Sequence, residues 1–270
     1  MRRIGTEADI KEGLAALTSV CPHLALVHGL ASNARLWDGV GAFLAGHGFA
    51  GYAVDLRGHG ESDQPDDGYD TGTAAADVSA LVARLGLAGP VLAGQSWGGN
   101  VVLELAATQP DLPHAVALVD GGWIHLGDTF PTWEQCWAAL APPVLRAVRP
   151  QEMRARLQRW HPDWPETGIE GTMGNFEDLP DGTVRNRLTR DRHAAILRSL
   201  WQHRPRELYP EVTAPALLMP AGGPDGERAG RVTEAATALA HGTIRWYEGA
   251  DHDLHAQHPA RVAADLAELA

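Results

Sequence analysis

A chain of 270 residues with 34 acidic and 22 basic side chains, net charge −12, is a poor partner for nucleic acid, which is bound through clustered Lys and Arg. The 44% hydrophobic and 21% charged content is that of a globular protein, long enough for one large α/β domain with an insertion or for two small ones. No apolar run approaches the roughly 20 residues of a membrane span, and Met1-Arg2-Arg3-Ile4 leads into no signal-like stretch, so no membrane partner is expected and a cytoplasmic location is the default.

In chain order, Ile4, Ile10, Leu14, Leu17 and Val20 fit either a ragged hairpin or a short helix. Cys21, like Cys136, fits no metal or redox spacing and is expected to be free. Leu24-Ala25-Leu26-Val27 reads as a buried strand ending at His28-Gly29, residues 36–44 as a helix, and 51–56 as a second strand. A helix over 73–85, a strand at 91–93, a helix over 97–108 and a strand at 115–119 continue the alternation. Strands and helices alternating at short intervals imply a mostly parallel sheet flanked by helices. After Asp120-Gly121-Gly122 the alternation stops for some 85 residues, giving way to Trp-rich helical stretches at 133–140, 144–160 and 191–201 broken by prolines. It resumes with a strand at 215–219, a helix over 229–240, a strand at 243–247 and a last helix over 259–269. Segment 122–207 carries 12 Arg against 11 acids while the rest has 10 basic and 23 acidic residues, so it differs in charge as well as in pattern. It reads as a helical cap on a core formed by 1–121 and 208–270.

Gly94-Gln95-Ser96-Trp97-Gly98 falls at the turn from strand into helix. Small residues either side of Ser96 permit a strained turn that holds its hydroxyl out over the sheet end, beside the free N–H groups of a helix N-terminus. A serine hydroxyl needs a base, and Gly249-Ala250-Asp251-His252 places His252 on the loop after the last strand, at the same carboxyl edge of the sheet. His255 and His258 are expected in the first turn of the last helix, facing solvent or the domain edge. Spacing alone would allow a metal cluster of the three histidines, but no further ligand set converges on it, so no metal is expected. Two carboxylates end strands and could orient His252: Asp225, beyond Gly222-Gly223-Pro224, is preferred, and Asp120 is the alternative. The N–H groups of Trp97 and Leu30 are the expected oxyanion donors, with His28 a buried structural residue.

His28-Gly29, Asp55-Leu56-Arg57-Gly58-His59-Gly60-Glu61-Ser62, Gly94-x-Ser96-x-Gly98-Gly99 and Gly249-Ala250-Asp251-His252 with Pro259 beyond are similar, in order and spacing, to the signature of the α/β-hydrolase superfamily. The resemblance runs from about His23 to the C-terminus outside the cap. It implies a Ser96–His252–acid triad, a helical cap after the sixth strand and no cofactor, with Arg57, His59 and Ser62 in a structural loop. It also implies that a serine at this position excludes the aspartate-nucleophile branches, the epoxide hydrolases and haloalkane dehalogenases. Six of the nine Trp fall in the cap, which suggests an apolar acyl pocket with Trp133, Trp137 and Trp201 as first candidates for its wall. The expected activity is hydrolysis of a small hydrophobic carboxylic ester or lactone. Gln95 and Trp97 also resemble the proline iminopeptidases, which grip an amino terminus with cap acids; Glu134, Glu152, Glu166, Glu170, Glu177 or Asp178 could serve. A lyase, cyclase or ligand receptor on the same fold is the third reading.

Overall fold

The computed structural model describes residues 2–4 and 21–270. The first half runs β1 (Arg2–Ile4), β2 (His23–Val27), α1 (Asp38–Gly46), β3 (Ala50–Val54), α2 (Thr71–Leu85), β4 (Val91–Gln95), α3 (Trp97–Thr108) and β5 (Ala115–Val119). The interruption holds α4 (Trp133–Leu140), α5 (Pro150–Trp160), α6 (Glu166–Met173), a hairpin of β6 (Phe176–Asp178) and β7 (Val184–Asn186), α7 (Arg190–Gln202) and α8 (Pro205–Leu208). The chain closes with β8 (Ala216–Met219), α9 (Ala229–Ala238), β9 (Gly242–Ile244), α10 (Leu254–Gln257) and α11 (Pro259–Ala267).

Among the described residues the main sheet orders β1-β3-β2-β4-β5-β8-β9, with β1 antiparallel to β3 and every other pair parallel. Strands buried on both faces must be apolar throughout, which is why β4 and β5 show continuous runs rather than alternation. Leu92, Val116, Leu118 and Leu218 pack on one side with Val78 of α2, Val101 and Leu105 of α3 and Val232 of α9. Val91, Ala93, Ala117 and Leu217 pack on the other with Val40 of α1 and Val262 and Leu266 of α11. From β2 the chain moves outward to β3, then returns to place β4 on β2's opposite side. The loops leaving β2 and β4 therefore diverge and open a crevice at their carboxyl ends.

The interruption follows β5, the fifth strand among the described residues. Two expectations need correction. Residues 144–149 are not helical: Pro142 and Pro143 hold the chain extended, and α5 starts only at Pro150 with Glu152 bonding back to the N–H of Arg149. Pro180-Asp181-Gly182, read as a break between helices, is the turn of the β6–β7 hairpin, with Gly182 at φ 79° and the Thr183 N–H and hydroxyl donating to Asp181 Oδ1. Of the N-terminal segment only β1 is described; Ile10, Leu14, Leu17 and Val20 lie outside the described residues. Among the described residues no helix is long and apolar enough to cross a membrane, and Cys21 and Cys136 are free.

Candidate active site

Ser96 sits at φ 53° and ψ −121°, a conformation that costs a non-glycine residue about 1–3 kcal/mol and persists only where packing enforces it. The packing is visible. A Cβ on Gly94 would strike the carbonyl of Gly98, and one on Gly98 would lie 2.5 Å from the carbonyl oxygens of Val27 and His28, so strand and helix approach closely only because both positions lack side chains. The Ser96 N–H donates to Val119 O at 2.9 Å, which ties the turn to β5. Trp97, as the first residue of α3, has no intrahelical acceptor for its N–H. Its ring lies in the core, donating to Thr71 Oγ1 at 3.2 Å, and does not enter the crevice.

The loop after β2 is braced from below by two buried histidines. His28 Nε2 accepts from Leu56 N–H at 3.0 Å, and its Nδ1 lies 2.7 Å from the carbonyl of Gly29. His59 Nε2 accepts from Ala31 N–H at 3.2 Å. Burial holds both imidazoles below the ordinary histidine range, so each accepts as the neutral ring. Asp55 finishes the brace, its two oxygens accepting from the N–H groups of Ala34 and Glu61. Leu30 is thereby fixed on the wall of the crevice.

The carboxylate behind His252 is Asp120, not Asp225. Asp120 Oδ2 lies 2.6 Å from His252 Nδ1 and accepts from Arg228 Nη1 at 3.0 Å, while Oδ1 accepts from Ala221 N–H at 3.0 Å. Asp120 is buried and held at φ 40° at the end of β5, next to the serine strand. Asp225 is exposed in the turn beyond β8; that Gly-rich loop delivers a backbone N–H and Arg228 to the site instead. Burial pulls His252 down, but the hydrogen bond to Asp120 and the charges of Asp253 and Asp120 outweigh it, so its pKa is raised despite Arg228. Gln95 Nε2 donates to the carbonyl of His252 at 3.1 Å, joining the base loop to the serine turn.

His255 departs from its expected place. It lies in α10, fully buried, its ring 4.3 Å from that of Trp37 and its pKa pushed down to about 3 by burial. Asp251, beside the base, accepts from Trp164 Nε1 at 2.8 Å and contacts His161 Nδ1 at 3.0 Å, so the inserted segment is anchored on the His252 loop.

Ser96, Asp120, His252 and Leu30 line one cavity of about 500 Å³, walled further by Trp123, Ile124, Leu197 and Leu200. Trp133, Trp137 and Trp201 do not line it. Trp133 and Trp137 stack on each other under the guanidinium groups of Arg198 and Arg190, and Trp201 donates to Phe130 O at 2.8 Å. They hold the insertion together, and Trp123, directly after Gly122, is the tryptophan that reaches the cavity. Asn100 of α3 was not anticipated: it accepts from Gly122 N–H at 3.0 Å and donates to Ile124 O at 2.8 Å, aiming this wall from the serine's own helix. Glu134, Glu152, Glu166, Glu170, Glu177 and Asp178 do not line the cavity either; Glu166 and Glu170 pair with Arg154, and Glu177 with Arg185.

The sequence model of the alpha/beta hydrolase family matches residues 24–265. A non-heme chloroperoxidase of Streptomyces lividans is 46% identical over 80 residues, 30% of this chain and 29% of that protein. A soluble epoxide hydrolase of Corynebacterium sp. (strain C12) is 38% identical over 110 residues, 40% of this chain and 38% of its own length. Each alignment thus spans less than two fifths of the relative. The crystal structure of E-2-(acetamidomethylene)succinate hydrolase superposes with a TM-score of 0.77 at 23% identity, over 92% of this chain and 91% of that one.

Proposed function

The chain belongs to the alpha/beta hydrolase family, and from that premise we propose that it is a serine hydrolase cleaving a hydrophobic carboxylic ester or lactone, with Ser96 as nucleophile, His252 as base and Asp120 as the carboxylate that orients the base. The observation that carries this reading is the 2.6 Å contact of His252 Nδ1 with Asp120 Oδ2 on the wall of a cavity that Ser96 also lines. A proton on Nδ1 donated to Asp120 leaves the Nε2 lone pair free to take the Ser96 proton as Oγ attacks the acyl carbon. The oxyanion is received by the N–H groups of Trp97 and Leu30, the imidazolium returns its proton to the leaving oxygen, and a water deprotonated by the same nitrogen frees the acid. Residues 1–121 and 208–270 supply this machinery. Segment 122–207 acts as the cap, contributing Trp123, Ile124, Leu197 and Leu200 to the apolar wall that receives the substrate.

The peptidase alternative loses its support, because the cap acids that would grip an amino terminus are engaged elsewhere or absent from the cavity. The test is fluorophosphonate labelling followed by turnover of p-nitrophenyl esters and aliphatic lactones, with Ser96→Ala as control. Labelling and turnover that both vanish in the variant support the proposal. Labelling without turnover would point to a non-hydrolytic member of the fold, and absence of labelling would overturn the nucleophile assignment.

A further inference from the structure

Two arginines, Arg228 and Arg231, line a cavity whose wall is otherwise mostly apolar. Arg228 caps α9 and Arg231 stands one turn on, so both project from one end of the same helix. Arg228 is committed, donating to Asp120 Oδ2 at 3.0 Å and to Ala221 O at 3.1 Å. Arg231 is not: it donates to Thr129 Oγ1 at 3.2 Å, and among the described residues it is in no ion pair. Asp128 and Glu234, two carboxylates that feel its charge, are both held by Arg206. The other polar groups of the wall include His125 and His193, which burial keeps below the ordinary histidine range and which therefore offer neutral rings. An arginine cannot shed its proton, and its planar fork matches a carboxylate with two parallel hydrogen bonds.

Resting on the serine-hydrolase reading above, we propose that the substrate carries a second, free carboxylate that Arg231 holds at the rim while the scissile carbonyl lies at Ser96. The apolar wall between the two groups then receives the substrate's carbon chain. The chain's net charge of −12 disfavours anionic ligands in general, so a preference for an anionic ester would have to arise locally.

The test compares kcat/KM for mono-p-nitrophenyl adipate and pimelate with that for the same esters whose distal carboxylate is capped as methyl ester. In parallel, inhibition by the C4 to C7 diacids is compared with inhibition by their monomethyl esters. Arg231 is exposed, so the pair is partly screened and a preference of about tenfold for the free acid is expected, mostly in KM and weakening with added salt. Arg231→Gln should bring the ratio to one or below, and Arg231→Lys should keep part of it. A wild type that favours the capped ester, with no diacid inhibiting better than its monomethyl ester, would overturn the proposal. A preference surviving in Arg231→Gln would overturn the residue assignment. If no ester is turned over, the hydrolase reading fails by itself, and calorimetric titration of wild type and Arg231→Gln with the diacids still decides the subsite.

Discussion

Replacing Asp120 with Asn tests the active-site reading where sequence and structure disagree. The carboxylate receives three donors: His252 Nδ1 at 2.6 Å and Arg228 Nη1 at 3.0 Å on Oδ2, and Ala221 N–H at 3.0 Å on Oδ1. An amide has one acceptor oxygen, so either orientation sets an NH₂ against a donor. With oxygen kept on Ala221, the NH₂ faces His252 and selects the tautomer with its proton on Nε2, leaving Ser96 without a base. The expected loss is about 10⁴ in kcat, or about 5.4 kcal/mol at 1.36 kcal/mol per decade. Arg228 is 54% exposed and can turn to solvent, so the fold should survive with a loss on the order of 1–2 kcal/mol. The assay is burst and steady-state hydrolysis of p-nitrophenyl acetate by wild type, Asp120→Asn and Asp225→Asn, with circular dichroism and urea unfolding as controls for folding. Asp225→Asn should match wild type, since its side chain is solvated. A crippled Asp225→Asn beside an active Asp120→Asn would refute the reasoning.

Arg228 is one of the charges that lower His252, so Arg228→Gln should raise the base's pKa. Because activity needs the neutral ring, the acid limb of kcat/KM should then move to higher pH; an unmoved limb would mean that Arg228 only anchors its loop. Ser96→Ala and His252→Ala should each abolish most turnover while the double variant is little worse than either, since nucleophile and base act as a unit; additive losses would break the assignment. His255 is held at about 3 in the fold against 6.5 as a free histidine, so below pH 6.5 the unfolded chain binds a proton that the native state refuses, and stability falls with pH until about 3. His255→Leu should therefore cut the loss between pH 7 and pH 5, read by urea unfolding, by about 2 kcal/mol; an unchanged difference would show that His255 is not the group responsible.

What was legible in the sequence is what short-range geometry encodes. Ser96 is marked by Gly94 and Gly98, two residues to either side, because the turn cannot form without them, and His252 by its place after the last strand. The choice between Asp120 and Asp225 was not legible, since both stand between Ser96 and His252 in the chain and both follow strands. It is decided by contacts far apart in sequence: His252 meets Asp120 across 132 residues, and the loop from Ala221 to Arg228 meets Asp120 across 101 to 108. The same holds for His255. Helical spacing placed it toward solvent or the domain edge, whereas a separate four-residue turn before Pro259 rotates it onto Trp37. Tryptophan content could not tell a pocket from a cap core, because a stacked, cation-covered pair such as Trp133 and Trp137 leaves the same trace as a pocket wall.

Three of the four non-glycine residues at positive φ among the described residues border the site: Ala31 at 57°, Ser96 at 53° and Asp120 at 40°. Each follows a different strand, Ala31 in the loop after β2 and Ser96 and Asp120 directly after β4 and β5, and these three strands are neighbours in the sheet. At about 1–3 kcal/mol apiece, three such residues would cost a sizeable part of a domain's net stability if left unsupported. Support comes from contacts with neighbouring loops and strand ends; Ala31 N–H donates to His59 Nε2 at 3.2 Å. Ser96 N–H bonds Val119 O at 2.9 Å, Asp120 N–H bonds Met219 O at 3.0 Å, and a Cβ on Gly121 would lie 2.7 Å from the Ser96 nitrogen. The backbone at the site is thus fixed by the sheet edge itself rather than by the substrate. On the proposed reading, nucleophile, base support and oxyanion loop are in place before anything binds, which leaves selection to the cavity wall, lined by Trp123, Leu200 and Arg231.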